Sequence, residues 1–135
     1  MPVLIDTNVF IALLDEENPH HKWAVEKYNK YKSESPPLVI SDIVYCEASI
    51  GMPDIEAMNA AVKELGLDRI SAKNEALFEA GRAFIKYKDV NKGQKNGVLP
   101  DFLIGAIAAD KEIPIITADP KPYIHYFNGL EVIKP

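Results

Sequence analysis

Several features that would assign this chain to a class are missing from its sequence. It has one cysteine, Cys46, so no disulfide can form within the chain, and no Cys/His set suggests a zinc site. No apolar run approaches the ~18 residues of a membrane span. The start does not resemble a signal peptide, because Asp6 interrupts its apolar region and no basic segment precedes it. We therefore expect a cytoplasmic protein.

Positive charge is also scarce. The chain has 15 Lys and Arg residues against 20 Asp and Glu residues, which gives a net charge of -5. This balance argues against a protein that holds nucleic acid through a broad basic surface. It does not argue against nucleic-acid chemistry, because carboxylates can bind divalent cations that then receive phosphate oxygens.

The 135 residues are 47% hydrophobic and 26% charged, and we expect them to form one domain spanning residues 1–135. Short apolar runs predict strands at 3–5, 38–40, 67–70, 114–117 and 130–133. Helical segments separate these strands, a pattern typical of parallel βαβ units. The predicted fold is an α/β protein, a three-layer α/β/α sandwich with a central, mostly parallel sheet of about five strands.

Helical periodicity predicts helices at 9–14, 20–32, 43–50, 55–65, 74–87 and 100–109, and the polar segment 88–97 is predicted to form a loop. The apolar side of the helix at 74–87 is predicted to consist of Ala76, Leu77, Ala80, Phe84 and Tyr87. The helix at 100–109 is nearly all apolar and small, so it should be buried, and its Gly and Ala residues should let it approach the sheet closely.

Four acidic residues occupy equivalent places in this predicted fold. Asp6 ends the first strand, and Asp119 follows a later one. Asp101 opens the buried helix, and Glu47 lies in a helix that follows a strand. Strand ends and helix starts share one edge of a parallel sheet, and helical side chains lean toward the N-terminus of their helix. Each acid alone could be a cap, a turn residue or a solvated side chain, but the set predicts a cluster.

Clustered carboxylates repel one another unless a cation lies among them. Oxygen ligands without nitrogen or sulfur suit Mg²⁺ or Mn²⁺. The three histidines, His20, His21 and His125, lie at no predicted strand end, so no Ser-His-Asp set competes with the acids. The sequence thus favours a metal-binding acidic site over nucleophilic catalysis.

The segments that carry the four acids resemble, in order, the motifs of PIN-domain proteins of the VapC toxin type. The resemblance covers nearly the whole chain and is carried by residues 4–9, 41–47, 99–108 and 115–119. Each motif alone is weak, but four in order within a chain of family-like length are specific. The chain departs from the pattern at Ala118, where many relatives have a larger polar or basic residue.

This resemblance implies an endoribonuclease that uses Mg²⁺ or Mn²⁺ to hydrolyse RNA phosphodiester bonds and acts as the toxin of a type II toxin–antitoxin system. It also implies a homodimer and a small antitoxin protein as partner. It implies catalytic and metal-binding roles for Asp6, Glu47, Asp101 and Asp119, and supporting hydrogen bonds from Thr7, Asn8 and Thr117.

Three other classes of protein remain as alternatives. A receiver-type signalling domain also binds Mg²⁺ through Asp, but it needs adjacent acids after its first strand, where Thr7 and Asn8 stand. A haloacid-dehalogenase-like phosphatase needs a second acid two residues after the first, where Asn8 stands. A catalytically inactive PIN fold that only binds a partner is the hardest to exclude.

Two further patterns each have an ordinary and a functional interpretation. A basic group in the segment before Asp101 is either a solvated surface or a rim that follows phosphates; it comprises Arg82, Lys86, Lys88, Lys92 and Lys95. An apolar stripe is either core packing or a surface for a dimer or an antitoxin helix; it comprises Ile55, Met58, Val62 and Leu65.

Overall fold

The structure is a computed structural model and describes residues 1–34, 37–91 and 98–135. The strands are β1 (Val3–Ile5), β2 (Leu38–Ser41), β3 (Asp68–Ile70), β4 (Ile115–Ile116) and β5 (Val132–Ile133). The helices are α1 (Thr7–Leu14), α2 (His21–Glu34), α3 (Asp42–Ser49), α4 (Ile55–Glu64), α5 (Asn74–Asn91), α6 (Leu99–Asp110) and α7 (Lys121–Tyr126). No described helix is both long and apolar enough to cross a membrane.

The five strands form one parallel sheet in the order β3-β2-β1-β4-β5, which confirms the predicted three-layer α/β/α class. Leu4 lies between Val39 on β2 and Ile115 on β4. β1 is buried along its length, because helices cover both faces of a parallel sheet. The strand order reverses beside β1: the chain moves to one side for β2 and β3, and returns to the other for β4. Such a switch point leaves a crevice at the carboxyl ends of the strands.

The helix α6 is buried as predicted, with Phe102, Ala106 and Ile107 packed against α5. The apolar side of α5 was predicted only in part: Ala76 and Ala80 are buried, but Leu77 is exposed and Ala83 takes its place. Positions 76, 80 and 83 lie on one face of the helix, and position 77 lies outside that face. The helix also continues to Asn91, so the loop predicted from residue 88 was wrong over 88–91, and its remainder at 92–97 lies outside the described residues.

The helix α7 was not predicted, and its packing corrects the expectation for Gly105. A Cβ atom at Gly105 would lie 2.6 Å from Cε2 of Phe127 and 3.0 Å from Cδ1 of Tyr123. The missing side chain therefore admits the aromatic residues of α7 and the residue after it, not the sheet. Gly105 on α6 thus leaves room for α7, whose Tyr123 reaches Asp6 at the carboxyl end of β1.

The apolar stripe on α4 is mainly core packing. Met58 is buried, and Val62 and Leu65 pack against the main core. Ile55 is different, since 63% of it is exposed. The ordinary interpretation therefore holds for three of the four residues.

Candidate metal-binding acidic site

The site begins with Asp6, which caps α1 directly after β1. Its backbone N–H donates to the carbonyl of Ile116 at 3.0 Å, which carries the β1–β4 pairing one residue past the strands. Its Oδ1 accepts the Thr7 N–H at 2.7 Å. The capping interpretation of Asp6 is therefore correct, but it uses only one of the two carboxylate oxygens.

The second oxygen, Oδ2, faces inward and accepts two hydroxyl groups. Thr117 Oγ1 donates to it at 2.7 Å and Tyr123 OH donates to it at 2.8 Å. Only 3% of Asp6 is exposed, and burial raises its pKa although these hydrogen bonds and the Thr7 amide lower it. A hydrogen bond to a charged group contributes only about 1.5–3 kcal/mol, so a few of them do not fully offset the loss of hydration.

Asn8 ties this carboxylate to the end of β4. Its Nδ2 lies 3.3 Å from Thr117 Oγ1 and 3.4 Å from Asp6 Oδ2, and its Oδ1 accepts the Ala118 N–H at 3.0 Å. The amide can do both because it carries donors on one side and an acceptor on the other. Thr7, Asn8 and Thr117 thus each take part in hydrogen bonds around Asp6, and their supporting role at a metal site stays a prediction.

Glu47 is brought to the site from α3. Ser41 starts that helix, its Oγ accepting the Val44 N–H at 3.2 Å. Glu47 lies on the face turned toward α1, where the Thr7 hydroxyl donates to its Oε1 at 2.7 Å. A contact between residues 40 positions apart thus sets the distance between Glu47 and Asp6.

Asp101 lies in the first turn of α6 and responds to the other three acids. Burial and then the negative charges of Asp6, Glu47 and Asp119 raise its pKa from 3.8 to about 7. Like charges disfavour ionisation most when they are near and poorly hydrated. The four acids from four separate segments are therefore close enough for their charges to affect Asp101.

Asp119 is held differently. Its backbone N–H donates to Thr117 Oγ1 at 3.0 Å, while its side chain is exposed at the rim of the site. In the described residues, no three His, Cys, Asp or Glu side chains are close enough together to hold a metal ion as they stand. The acids are thus near enough to raise the pKa of Asp101 but do not meet around one point.

The donor set nevertheless fits a hard divalent cation. All its ligands would be carboxylate oxygens, and a cation among them would relieve the repulsion that Asp101 experiences. Asp6 is already oriented by hydrogen bonds, whereas the exposed Asp119 side chain can turn about its χ angles.

Sequence reasoning missed Tyr123. Burial raises its pKa well above the ordinary value of 10.0, and the charges of Asp6 and Asp101 add to the shift, so its hydroxyl keeps the proton that it donates. Tyr123, Tyr126 and Phe127 recur with helical spacing, a signal that predicts an aromatic helix face. That signal does not reveal the Asp6 contact, which joins residues 117 positions apart.

His21 and two described members of the basic group make their recorded contacts with residues other than the four acids. His21 Nδ1 lies 2.7 Å from the Ala12 carbonyl, a link between α1 and α2. Arg82 and Lys88 lie over the rings of Phe78 and Phe84 on α5. Lys92 and Lys95 of the predicted basic group lie outside the described residues.

Solved structures with similar folds contain VapBC proteins. The chain aligns with the structure of VapBC2 from Rickettsia felis bound to a promoter DNA fragment with a TM-score of 0.73 and 19% identity, covering 99% of this chain and 98% of that one. It aligns with DNA-bound VapBC from Salmonella typhimurium with a TM-score of 0.70 and 20% identity, covering 99% and 98%. These likenesses establish the fold.

A third similar structure is VapC20 from Mycobacterium tuberculosis, described as a sarcin-ricin loop cleaving toxin. The TM-score is 0.65 at 15% identity, and the alignment covers 91% of this chain and 94% of that one. No curated protein matches the sequence. The family model of the PIN domain matches residues 3–127, a span that includes all four acids and Tyr123. The chain therefore belongs to the PIN domain family.

Proposed function

We propose that this protein is a ribonuclease of the VapC type, which hydrolyses RNA phosphodiester bonds with the help of Mg²⁺ or Mn²⁺. The observation that carries the proposal is that Asp6, Glu47 and Asp119 raise the pKa of Asp101 through their charge, which places the four acids near one another at the switch point of a PIN-family sheet. A module that only bound a partner would gain nothing from four acids that repel one another.

The four carboxylates would hold the cation. Bound there, a divalent ion would lower the pKa of a coordinated water and stabilise the negative charge that develops on the phosphate. Asp6 contributes a carboxylate whose orientation is set by Thr117 and Tyr123. Glu47 is held toward it by the Thr7 hydroxyl. These contacts fix the inner ligands before substrate arrives, which lowers the reorganisation that the reaction requires.

The outer acids would handle protons and water. Asp101, with a pKa of about 7, is partly protonated near neutral pH in the absence of a cation and must lose that proton to become a ligand. Asp119, exposed at the rim, can accept a hydrogen bond from the attacking water and orient it for in-line displacement. Neither role requires movement of the backbone.

The proposed partners follow from the fold neighbours. VapBC structures from Rickettsia felis and Salmonella typhimurium support a small antitoxin protein as partner. We further propose the homodimer that the resemblance to the VapC type implies. The cleaving activity named for the Mycobacterium tuberculosis neighbour supports catalysis over an inactive binding module. We propose that residues 1–135 act as a single nuclease domain.

The test is cleavage of a mixed RNA pool with Mg²⁺, with Mn²⁺ and with EDTA, by the wild type, Asp6→Asn and Asp110→Asn. Asp110 is an exposed acid at the far end of α6, so its variant is a matched control. We expect cleavage with either metal, none with EDTA, loss in Asp6→Asn and wild-type activity in Asp110→Asn. Cleavage that survives EDTA, or that Asp6→Asn retains, would contradict the metal site, and RNA binding without cleavage would favour the inactive module.

A further inference from the structure

The hydroxyl of Tyr123 reaches the site from α7, a helix that is brought to the acids by tertiary packing. Tyr123 is fully buried at 0% exposure on α7, and its OH lies 2.8 Å from Asp6 Oδ2. A buried tyrosine hydroxyl needs a partner, and many backbone carbonyls in the core could serve. The partner is instead a carboxylate at the centre of the proposed site.

The two oxygens of Asp6 are used unequally. Oδ2 accepts short hydrogen bonds from two hydroxyl groups, Thr117 at 2.7 Å and Tyr123 at 2.8 Å, and a longer one from Asn8 Nδ2 at 3.4 Å. Oδ1 accepts the Thr7 N–H. Among the described residues, no second donor to Oδ1 is recorded, so one lone pair of Oδ1 is left for another ligand. The two hydroxyl groups therefore fix the orientation of the Asp6 carboxylate, with Oδ2 engaged and Oδ1 more open.

Gly105 leaves the space that the Tyr123 ring occupies. A Cβ atom there would come within 3.0 Å of the Tyr123 ring and 2.6 Å of the Phe127 ring. Asp101 lies one turn earlier on the same helix. The helix α6 thus supplies one acid directly and, through Gly105, positions the tyrosine that contacts another.

Tyr126, which also lies on α7, gives a comparison with Tyr123. Its ring packs against Phe102, with 5.0 Å between ring centroids, and against Tyr87 at 5.9 Å. It belongs to the aromatic packing between α5, α6 and α7. Two tyrosines one turn apart on α7 thus have different surroundings, one at a carboxylate and one in an apolar cluster.

We propose that Tyr123 is a positioning residue of this site: with Thr117 it fixes the Asp6 carboxylate so that Oδ1 is presented to a Mg²⁺ or Mn²⁺ ion. The proposal rests on the metal site of the proposed function. A residue that orients a metal ligand typically changes metal affinity by about 10-fold to 100-fold when it is removed. A tyrosine that only fills the core would change the stability of the fold and leave metal affinity unchanged.

The experiment measures Mn²⁺ binding by calorimetry in the absence of RNA, for the wild type, Tyr123→Phe, Tyr126→Phe and Asp6→Asn. Each tyrosine variant loses one hydroxyl from α7 and keeps its ring. We expect Tyr123→Phe to raise the Kd for Mn²⁺ about 10-fold and to keep a cooperative thermal transition in EDTA, and Tyr126→Phe to bind as the wild type does. Thr117→Val, which removes the other hydroxyl from Oδ2, should raise the Kd in the same direction.

The controls separate the two proposals. If Asp6→Asn binds Mn²⁺ as well as the wild type, the metal site itself is wrong. If Asp6→Asn loses binding while Tyr123→Phe retains it, only the positioning role is overturned. A Tyr123→Phe protein that does not fold in EDTA, or a Tyr126→Phe protein with an equal loss of affinity, would also overturn it, because the hydroxyl would then act through general packing.

Discussion

Asp6 and Asp119 follow the two adjacent strands of the switch point, yet their surroundings are opposite. Asp6 is 3% exposed, and its two oxygens accept an amide and two hydroxyl groups. The side chain of Asp119 is exposed, and its recorded hydrogen bonds join its backbone N–H and carbonyl to Thr117 Oγ1. The same topological position can thus give a buried, hydrogen-bonded carboxylate or an exposed carboxylate at the rim. The difference lies in what packs above it, since α7 covers Asp6 and leaves Asp119 at the surface.

The largest effect should come from the buried member of this pair. Asp6→Asn replaces an anion that the site was built around with a neutral amide, and we expect kcat for RNA cleavage to fall by roughly 100-fold to 1,000-fold. Single-turnover cleavage at saturating Mg²⁺ measures this fall. A loss no larger than that of Asp119→Asn would mean that burial and hydrogen bonding do not distinguish the two acids.

Asp119→Asn should be milder. Because the Asp119 side chain is exposed, we expect its loss to reduce cleavage by roughly 10-fold, and the thermal stability of the metal-free protein should stay unchanged. The same cleavage assay, with a thermal melt in EDTA, tests both statements. A drop in melting temperature would show that the carboxylate contributes to the fold as well as to the site.

Asp101 should reveal the cost of placing the acids together. Its folded pKa of about 7 lies above the ordinary 3.8, so the folded metal-free protein binds more protons than the unfolded chain between those values, and its free energy of unfolding falls as pH rises through about 7. Asp101→Asn removes this ionisation. At about pH 8 in EDTA we expect the variant to be more stable by about 1 kcal/mol, a figure reduced for solvent screening, or roughly 3 °C in Tm.

The gain from Asp101→Asn should disappear below about pH 3, under the ordinary pKa of 3.8, where the wild-type carboxyl is protonated in both states. Denaturant unfolding across the pH range checks the sign. A variant that is less stable than the wild type at high pH would mean that Asp101 makes a favourable contact that outweighs the repulsion.

The smallest effect should come from the basic end of α5. The ring of Tyr87 lies 5.6 Å from that of Phe102, the residue after Asp101, so the segment of α5 that carries Lys86 and Lys88 packs beside the start of α6. Replacing both with Ala should weaken RNA binding slightly and flatten its salt dependence by about 0.7 in log–log slope for each cation. Lys63→Ala with Lys73→Ala, two exposed lysines elsewhere, is the matched control. An unchanged salt dependence would contradict the interpretation of these lysines as a rim that follows phosphates.

The sequence by itself determined the parallel sheet and the four acids at its carboxyl edge. Both depend on local patterns: apolar runs such as 3–5 and 38–40 must be buried, and a polar residue directly after a buried strand must lie at its end. The caps at Asp6 and Ser41 also follow from local chemistry. Where local patterns failed, as for the end of α5 at Asn91, polar composition favoured a loop although the helix continued.

Only the tertiary structure decided how the acids differ from one another. The exposure of Asp119, the raised pKa of Asp101 and the Tyr123 hydrogen bond depend on contacts between segments far apart in the chain. Gly105 shows the reason. In the sequence it is only a small residue on the apolar helix α6, and the space that it leaves matters only once α7 packs against α6. Desolvation and hydrogen-bond partners are properties of packed neighbours, and sequence spacing does not specify them.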